Sequence, residues 1–119
     1  MISPRILIVD DDHAQLVLYR LMLRRLPYSI MTTSNAEEAL QIIYATPPVL
    51  ILLDVMLPQV NGLVLLQALR ADQALLNIKI VLLTVIGDRL NSADTALANA
   101  VFTKPIQRNV LEEEITHLL

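Results

Sequence analysis

A chain of 119 residues with a net charge of -3 suits one domain with one core, and without a run of Lys or Arg it offers no phosphate-binding stripe to nucleic acid. Although 55% of its residues are hydrophobic, no apolar run approaches the ~18 residues that cross a bilayer, so the excess belongs to a core or an adhesive surface. With no cysteine there is neither a disulfide framework nor a thiolate metal site, and Met1-Ile2-Ser3-Pro4 lacks the charged and apolar regions of a signal peptide; a cytoplasmic location is compatible with both.

Short apolar runs alternate with longer helical patterns, which predicts one α/β domain over residues 1–119 built on a parallel sheet. The first strand is Arg5–Val9 and ends on Asp10-Asp11-Asp12. A helix follows from about His13 to Leu26, with Asp12 as its cap and Pro27 closing it. Gln15, Leu18, Tyr19, Met22 and Leu26 share one helical face, whereas Leu16, Val17 and Leu21 fall elsewhere. Such a helix either packs deeply beside the sheet, the expectation adopted here, or offers an association surface. Ser29–Thr33 is a short, less apolar strand suited to an edge. Ser34-Asn35-Ala36-Glu37-Glu38 holds two overlapping capping boxes, Ser34 with Glu37 or Asn35 with Glu38. Ala36, Ala39, Leu40 and Ile43 form the buried stripe of the next helix, which Pro47-Pro48 ends.

The run Leu50-Ile51-Leu52-Leu53 then delivers a single carboxylate, Asp54, into the loop Val55-Met56-Leu57-Pro58. It reads as a buried central strand. Asn61 caps a helix from Gly62 to about Ala71, with Leu63, Leu66 and Leu69 or Leu65 inward. Ile78–Thr84 is the fourth strand, and Gly87-Asp88 opens a more polar helix, about Arg89 to Ala98. Ala100–Thr103 is the fifth strand and leads to Lys104. The last helix is about Gln107–Leu118. Its Glu112-Glu113-Glu114 reads as a solvated face, and His13 and His117 as surface residues.

The polar residues that end these strands define a chemistry. In a parallel sheet the strand ends share one edge, so Asp10, Asp11, Asp54, Thr84 and Lys104 meet there. Three carboxylates that close cannot all stay ionised without a proton or a cation. Only oxygen ligands are on offer, so Mg²⁺ is the natural ion, held by one or two carboxylates and several waters. A carboxylate at a strand end can act as a nucleophile toward a phosphoryl group. Transfer spreads charge over three oxygens, which Mg²⁺, the Lys104 ammonium and the Thr84 hydroxyl can serve. No residue here looks like a base for activating a second substrate.

Four segments in order, Ile6-Leu7-Ile8-Val9-Asp10-Asp11-Asp12, Asp54-Val55-Met56-Leu57-Pro58 with Gly62, Leu82-Leu83-Thr84, and Thr103-Lys104-Pro105, resemble the receiver domain of two-component response regulators over nearly the whole chain. The resemblance implies a doubly wound (βα)5 fold, with five parallel strands in order 2-1-3-4-5 and helices on both faces. The site then lies where strands 1 and 3 adjoin. The resemblance also implies that Asp54 accepts a phosphoryl group from the phosphohistidine of a sensor histidine kinase or phosphotransfer protein. By the same likeness Asp11, Asp54 and the Met56 backbone carbonyl bind Mg²⁺ directly, and Asp10 acts largely through water. Thr84 and Lys104 pair with phosphoryl oxygens, and the face of helix 4, strand 5 and helix 5 rearranges toward a downstream protein target. A cis Lys104-Pro105 bond is implied as well.

The chain departs from the family's pattern in places. Val101 stands where the family has a switching aromatic, and alternation sends Phe102 to the opposite face. The Thr84–Lys104 interval looks about two residues short, and Val85 stands where a small residue is usual, narrowing access to Asp54. The apolar Met56 and Ile86 flank the path of the hydrolytic water, so slow autodephosphorylation is expected. The leading function is a signalling phosphoacceptor whose only reactions are its own phosphorylation and autodephosphorylation. It engages no membrane and, through this domain, no nucleic acid. No output domain follows Leu119, so either a stand-alone regulator or an excised domain fits. A homodimer remains open through the first helix or the helix 4–strand 5–helix 5 face. A non-phosphorylated receiver-fold interaction module is the alternative. A phosphohydrolase of the haloacid-dehalogenase kind is disfavoured, because Met56 stands where those enzymes carry a second acid.

Overall fold

The computed structural model describes residues 4–119. Five strands, β1 (Arg5–Val9), β2 (Ser29–Thr33), β3 (Leu50–Leu53), β4 (Lys79–Thr84) and β5 (Ala100–Thr103), pair in parallel in the order β2-β1-β3-β4-β5. Alternation along the three inner strands divides their side chains between two cores. Leu7, Val9, Ile51, Leu53, Ile80 and Leu82 face one way and pack with α2 (Ala36–Ala45) and α3 (Gly62–Ala71). Ile6, Ile8, Leu50, Leu52, Val81 and Leu83 face the other way, against α1 (His13–Met22) and α5 (Arg108–Leu118). A strand covered on both faces must be apolar at every position, which is why β1 and β3 read as unbroken hydrophobic runs. Each fully buried Leu or Ile contributes about 1.5–3 kcal/mol, so these two layers dominate the stability. Val101 packs on the α2/α3 side and Phe102 on the α1/α5 side, as their alternation requires.

The register aligns the polar ends. Val9 pairs with Thr33 on one side and Leu53 on the other, Leu53 pairs with Leu82, and Thr84 with Thr103. Asp10, Asp54 and Lys104 therefore leave the sheet on the same edge. Asn35, rather than Ser34, caps α2 by accepting from the Glu38 N–H at 2.7 Å. Asp12 caps α1 through Ala14 and Gln15, and Asn61 caps α3 through Leu63.

Two helices differ from expectation. α1 ends at Met22 rather than Leu26. Beyond it the chain tightens into i→i+3 bonds, Arg24 N to Leu21 O and Leu26 N to Leu23 O, because Pro27 restricts the residue before it and cannot donate. Of the face the sequence suggests, Tyr19 is buried and Met22 and Leu26 pack half-buried on the same core, but Leu16 and, just past the helix, Leu23 are the other fully buried residues, while Val17, Leu18 and Leu21 stay exposed. The deep-packing expectation for α1 is thus wrong on its outer side. The helix expected over Arg89–Ala98 shrinks to a 3-10 turn, Gly87–Arg89, and a single α-turn, α4 (Ser92–Thr95). Asn91, Ser92, Asp94 and Thr95 explain this. Such side chains compete for backbone groups, and here Asn91 takes the Asp94 N–H while the Thr95 hydroxyl donates to the Ser92 carbonyl. Strand β4 starts at Lys79, one residue later than expected, and α5 starts at Arg108 with Gln107 as its cap position.

Candidate functional site

Asp54 is placed by the sheet itself. Its backbone N–H continues the ladder by donating to the Val9 carbonyl at 2.9 Å, and Asp10 does the same to Thr33 at 3.1 Å. Both carboxylates are buried against the loops that follow them. Asp10 Oδ1 accepts from the Asp12 N–H at 3.0 Å, and Asp54 Oδ1 accepts from the Met56 N–H at 3.0 Å. Each acid therefore folds its own loop back over itself, a local turn chemistry that Asp favours. The second oxygens converge on one cation. Lys104 Nζ donates to Asp10 Oδ2 at 2.7 Å and to Asp54 Oδ2 at 2.9 Å.

The third acid, Asp11, is exposed, and one carboxylate oxygen each from Asp10, Asp11 and Asp54 fall within 4.8 Å of one another. An all-oxygen set of that span fits a hard divalent cation such as Mg²⁺. The Met56 carbonyl accepts no backbone hydrogen bond outside regular elements among the described residues, which leaves it free as a further oxygen donor. Helix α3 presses close beneath this loop. A Cβ on Gly62 would collide with the Asp54 carbonyl oxygen and come within 2.8 Å of Val55 Cα, so only glycine fits. The Lys104-Pro105 bond is cis.

Thr84 completes the group. It is fully buried at the end of β4, and its hydroxyl has no hydrogen-bond partner among the described residues. An orphaned buried hydroxyl costs about 1–3 kcal/mol, an arrangement suited to a visiting acceptor. The charges shape one another. Burial pushes the Asp10 carboxyl above the usual carboxylate range, and the hydrogen bond from Lys104 offsets this only in part. Burial opposes the Lys104 ammonium, but the hydrogen bonds to Asp10 and Asp54 outweigh it and hold that group charged above its ordinary range. Every expected site residue thus lies at this edge, Asp10, Asp54, Thr84 and Lys104 inside it and Asp11 at its rim. His13 and His117 are exposed, as expected.

One neighbour was not legible as part of the site. Tyr19 of α1 is buried, and Lys104 Nζ lies over its ring, 6.0 Å from the centroid. Burial first, eased by the nearby ammonium, pushes its phenol up to about 12. The only signal in the sequence was an aromatic with a polar tip on the helix that follows the acids.

The comparisons with known proteins converge. The family model described as "Response regulator receiver domain" matches residues 6–116. The DNA-binding dual master transcriptional regulator RpaA of Synechocystis sp. is 32% identical over 119 residues, covering 98% of this chain and 49% of RpaA. The response regulator PleD of Caulobacter vibrioides is 33% identical over 119 residues, covering 98% of this chain and 26% of PleD. The chain thus spans about half the length of relatives such as RpaA, and less of PleD. Among solved structures, the response regulator protein TrrA of Thermotoga maritima in complex with Mg(2+)-BeF superposes with a TM-score of 0.88 at 29% identity, covering 98% of this chain and 99% of that one.

Proposed function

The chain belongs to the response regulator receiver domain family, and from that premise we propose that it is a Mg²⁺-dependent phosphoacceptor. Asp54 takes a phosphoryl group from the phosphohistidine of a sensor histidine kinase or phosphotransfer protein, and the modified domain switches a surface read by a downstream protein. One observation carries this reading. A single ammonium, Lys104, bridges Asp10 and Asp54 beside a buried Thr84 hydroxyl that lacks any partner.

In the proposed step an Asp54 oxygen attacks phosphorus as the P–N bond breaks. The electron pair leaves on the imidazole nitrogen, which takes a proton from water, and an acyl phosphate remains on Asp54. Lys104 need only pass from the Asp54 oxygen to a phosphoryl oxygen, and Thr84 gains the acceptor it lacks. Asp11, Asp54 and the Met56 carbonyl would hold Mg²⁺, with Asp10 acting largely through water. When bound, the ion supplies positive charge against the developing phosphoryl charge. Asp10, Asp11, Asp54, Thr84 and Lys104 are all occupied in this scheme, and none is left to activate a second substrate. That supports a signalling phosphoacceptor rather than a turnover enzyme. Met56 and Ile86 line one cleft with Val55, Leu57 and Pro58, a largely apolar wall on the loop after Asp54 that supports slow hydrolysis of the acyl phosphate. Phosphoryl supply by kinases that draw on ATP supports a cytoplasmic setting for the proposed reaction. No helix of the described residues is long and apolar enough to cross a membrane.

The test is intact-mass measurement after incubation with acetyl phosphate and Mg²⁺, beside an Asp54→Asn control. A gain of one phosphoryl that needs both Mg²⁺ and Asp54 is expected, persisting for longer than seconds. The single turn of α4, with Val101 in place of a switching aromatic, favours a second reading, an interaction module that never takes a phosphoryl group. An unlabelled wild type would select it.

A further inference from the structure

Lys104 reaches the site from the far side of the sheet. β5 is an edge strand, with β4 and β3 between it and β1, yet the ammonium touches Asp10 just past the end of β1. A four-carbon stem crossing that span is flexible and needs a wall. Of its three N–H donors, two are used by Asp10 and Asp54. Tyr19 stands where the wall is needed. The residue is 3% exposed and belongs to the buried cluster that includes Ile8, Leu16, Leu52, Leu83 and Leu111, and Nζ lies over its ring.

We infer that Tyr19 is a positioning residue for Lys104, its ring holding the ammonium over the acids so that it can pass to an incoming phosphoryl oxygen without swinging into solvent. The negative face of an aromatic ring attracts a cation, more strongly where water is excluded. The Lys104 side chain is only 12% exposed. Bonds to Asp54 must be remade when a phosphoryl group arrives, whereas a contact with the ring persists throughout. Rigidity helps as well, since a packed tyrosine has only two side-chain torsions to fix. The bland alternative is a core filler that happens to lie near the lysine.

The inference rests on the phosphoacceptor reading for its rate effect, but not for the contact itself, and a double-mutant cycle separates the two. The purified chain is prepared as wild type, Tyr19→Leu, Lys104→Met and the double variant, with Tyr19→Phe to keep the ring. Tyr19→Met serves as a second ring-less variant should Tyr19→Leu not fold. Each is followed by labelling from acetyl phosphate, by Mg²⁺ affinity and by its urea midpoint. Tyr19→Leu is expected to slow labelling about fivefold, the effect of roughly one cation–π contact, and to leave Mg²⁺ affinity unchanged. Tyr19→Phe keeps the wild-type rate. The fall in urea midpoint caused by Tyr19→Leu should be smaller in the Lys104→Met background than in the wild type. Equal falls in both backgrounds, or a Tyr19→Phe chain as slow as Tyr19→Leu, overturn the inference. A wild type that takes no label sinks the phosphoacceptor reading instead, and the midpoints still decide whether ring and ammonium are coupled.

Discussion

Gly62 and Tyr19 carry no charge, yet each lies directly against a charged residue of the site, Gly62 on the Asp54 backbone and Tyr19 beneath the Lys104 ammonium. Gly62 lets the first turn of α3 lie against the backbone of Asp54 and Val55, where an added methyl meets main chain rather than a flexible side chain. Relief requires moving either the helix or the loop that holds Asp54 and Met56. Gly62→Ala is therefore expected to cost about 1–3 kcal/mol in urea unfolding and to weaken Mg²⁺ binding alongside. A variant as stable as wild type would mean that the loop yields freely. Tyr19 makes a spectroscopic prediction. Its phenol is pushed from the ordinary 10.0 up to about 12, with burial as the main cause. The folded state thus holds that proton more tightly than the unfolded chain does. The resulting stability is present below pH 10 and is lost as pH rises toward 12. Absorbance at 295 nm should show one of the three tyrosines ionising near pH 12, a step absent from Tyr19→Phe.

Elements hold this site in place from the opposite edge of the sheet. The Arg70 guanidinium of α3 donates to the carbonyls of Leu97, Leu76 and Ile78 and to Asn99 Oδ1, with its shortest bond 2.8 Å. Asn99 Oδ1 also accepts from the Ile80 N–H. One side chain thus fastens the end of α3, the entry to β4 and the connection from α4 into β5. Arg70→Met keeps most of the apolar stem and removes the donors, leaving several carbonyls to water. A loss of roughly 2 kcal/mol is expected, with faster amide hydrogen exchange confined mainly to residues 91–99. Uniformly faster exchange would argue that the clamp is only one stability contribution among many.

Arg70 also marks where the sequence stops being legible. All five strands could be read to within a residue: β1, β3 and β4, buried on both faces, are short apolar runs, and β1, β3, β4 and β5 each lead to a polar group at one edge of the sheet. Asp10, Asp54, Thr84 and Lys104 stood out for that reason. Helix α1 was legible only in part: Tyr19, Met22 and Leu26 of the expected face do pack on the core, but apolar Leu18 stays exposed and Leu16, set on another side by its spacing, is buried. Tyr19 could not be tied to Lys104, since that contact depends on the angle at which α1 crosses the sheet. The α4 region misled in the other direction. Its polar residues fit a solvated helix face by pattern, but the Asn91 cap delays the start of the helix to Ser92, and the Thr95 hydroxyl bonds back to the Ser92 carbonyl where the turn ends.

For the molecule as a whole, the sheet edge gathers like charge that a stability-optimised protein would disperse. Lys104 neutralises part of the Asp10 and Asp54 pair, but exposed Asp11 has no cationic partner among the described residues. On the proposed Mg²⁺ reading, Asp11 only repels its neighbours without a divalent ion and becomes a ligand with one. A single substitution should then act with opposite signs in two buffers. In chelator, Asp11→Asn is expected to raise stability slightly, by about 0.5 kcal/mol, because the repulsion involves a solvent-screened group. In saturating Mg²⁺ the order reverses. Wild type gains stability as RT ln(1 + [Mg²⁺]/Kd), about 2.7 kcal/mol at one hundred times Kd, whereas Asp11→Asn gains much less. Thermal melts of both proteins at matched ionic strength, with and without Mg²⁺, make the comparison. Curves that shift by the same amount would mean that the ion acts on the general charge of an acidic chain. Crossing curves would mean that the fold tolerates a local electrostatic defect because the occupied site removes it.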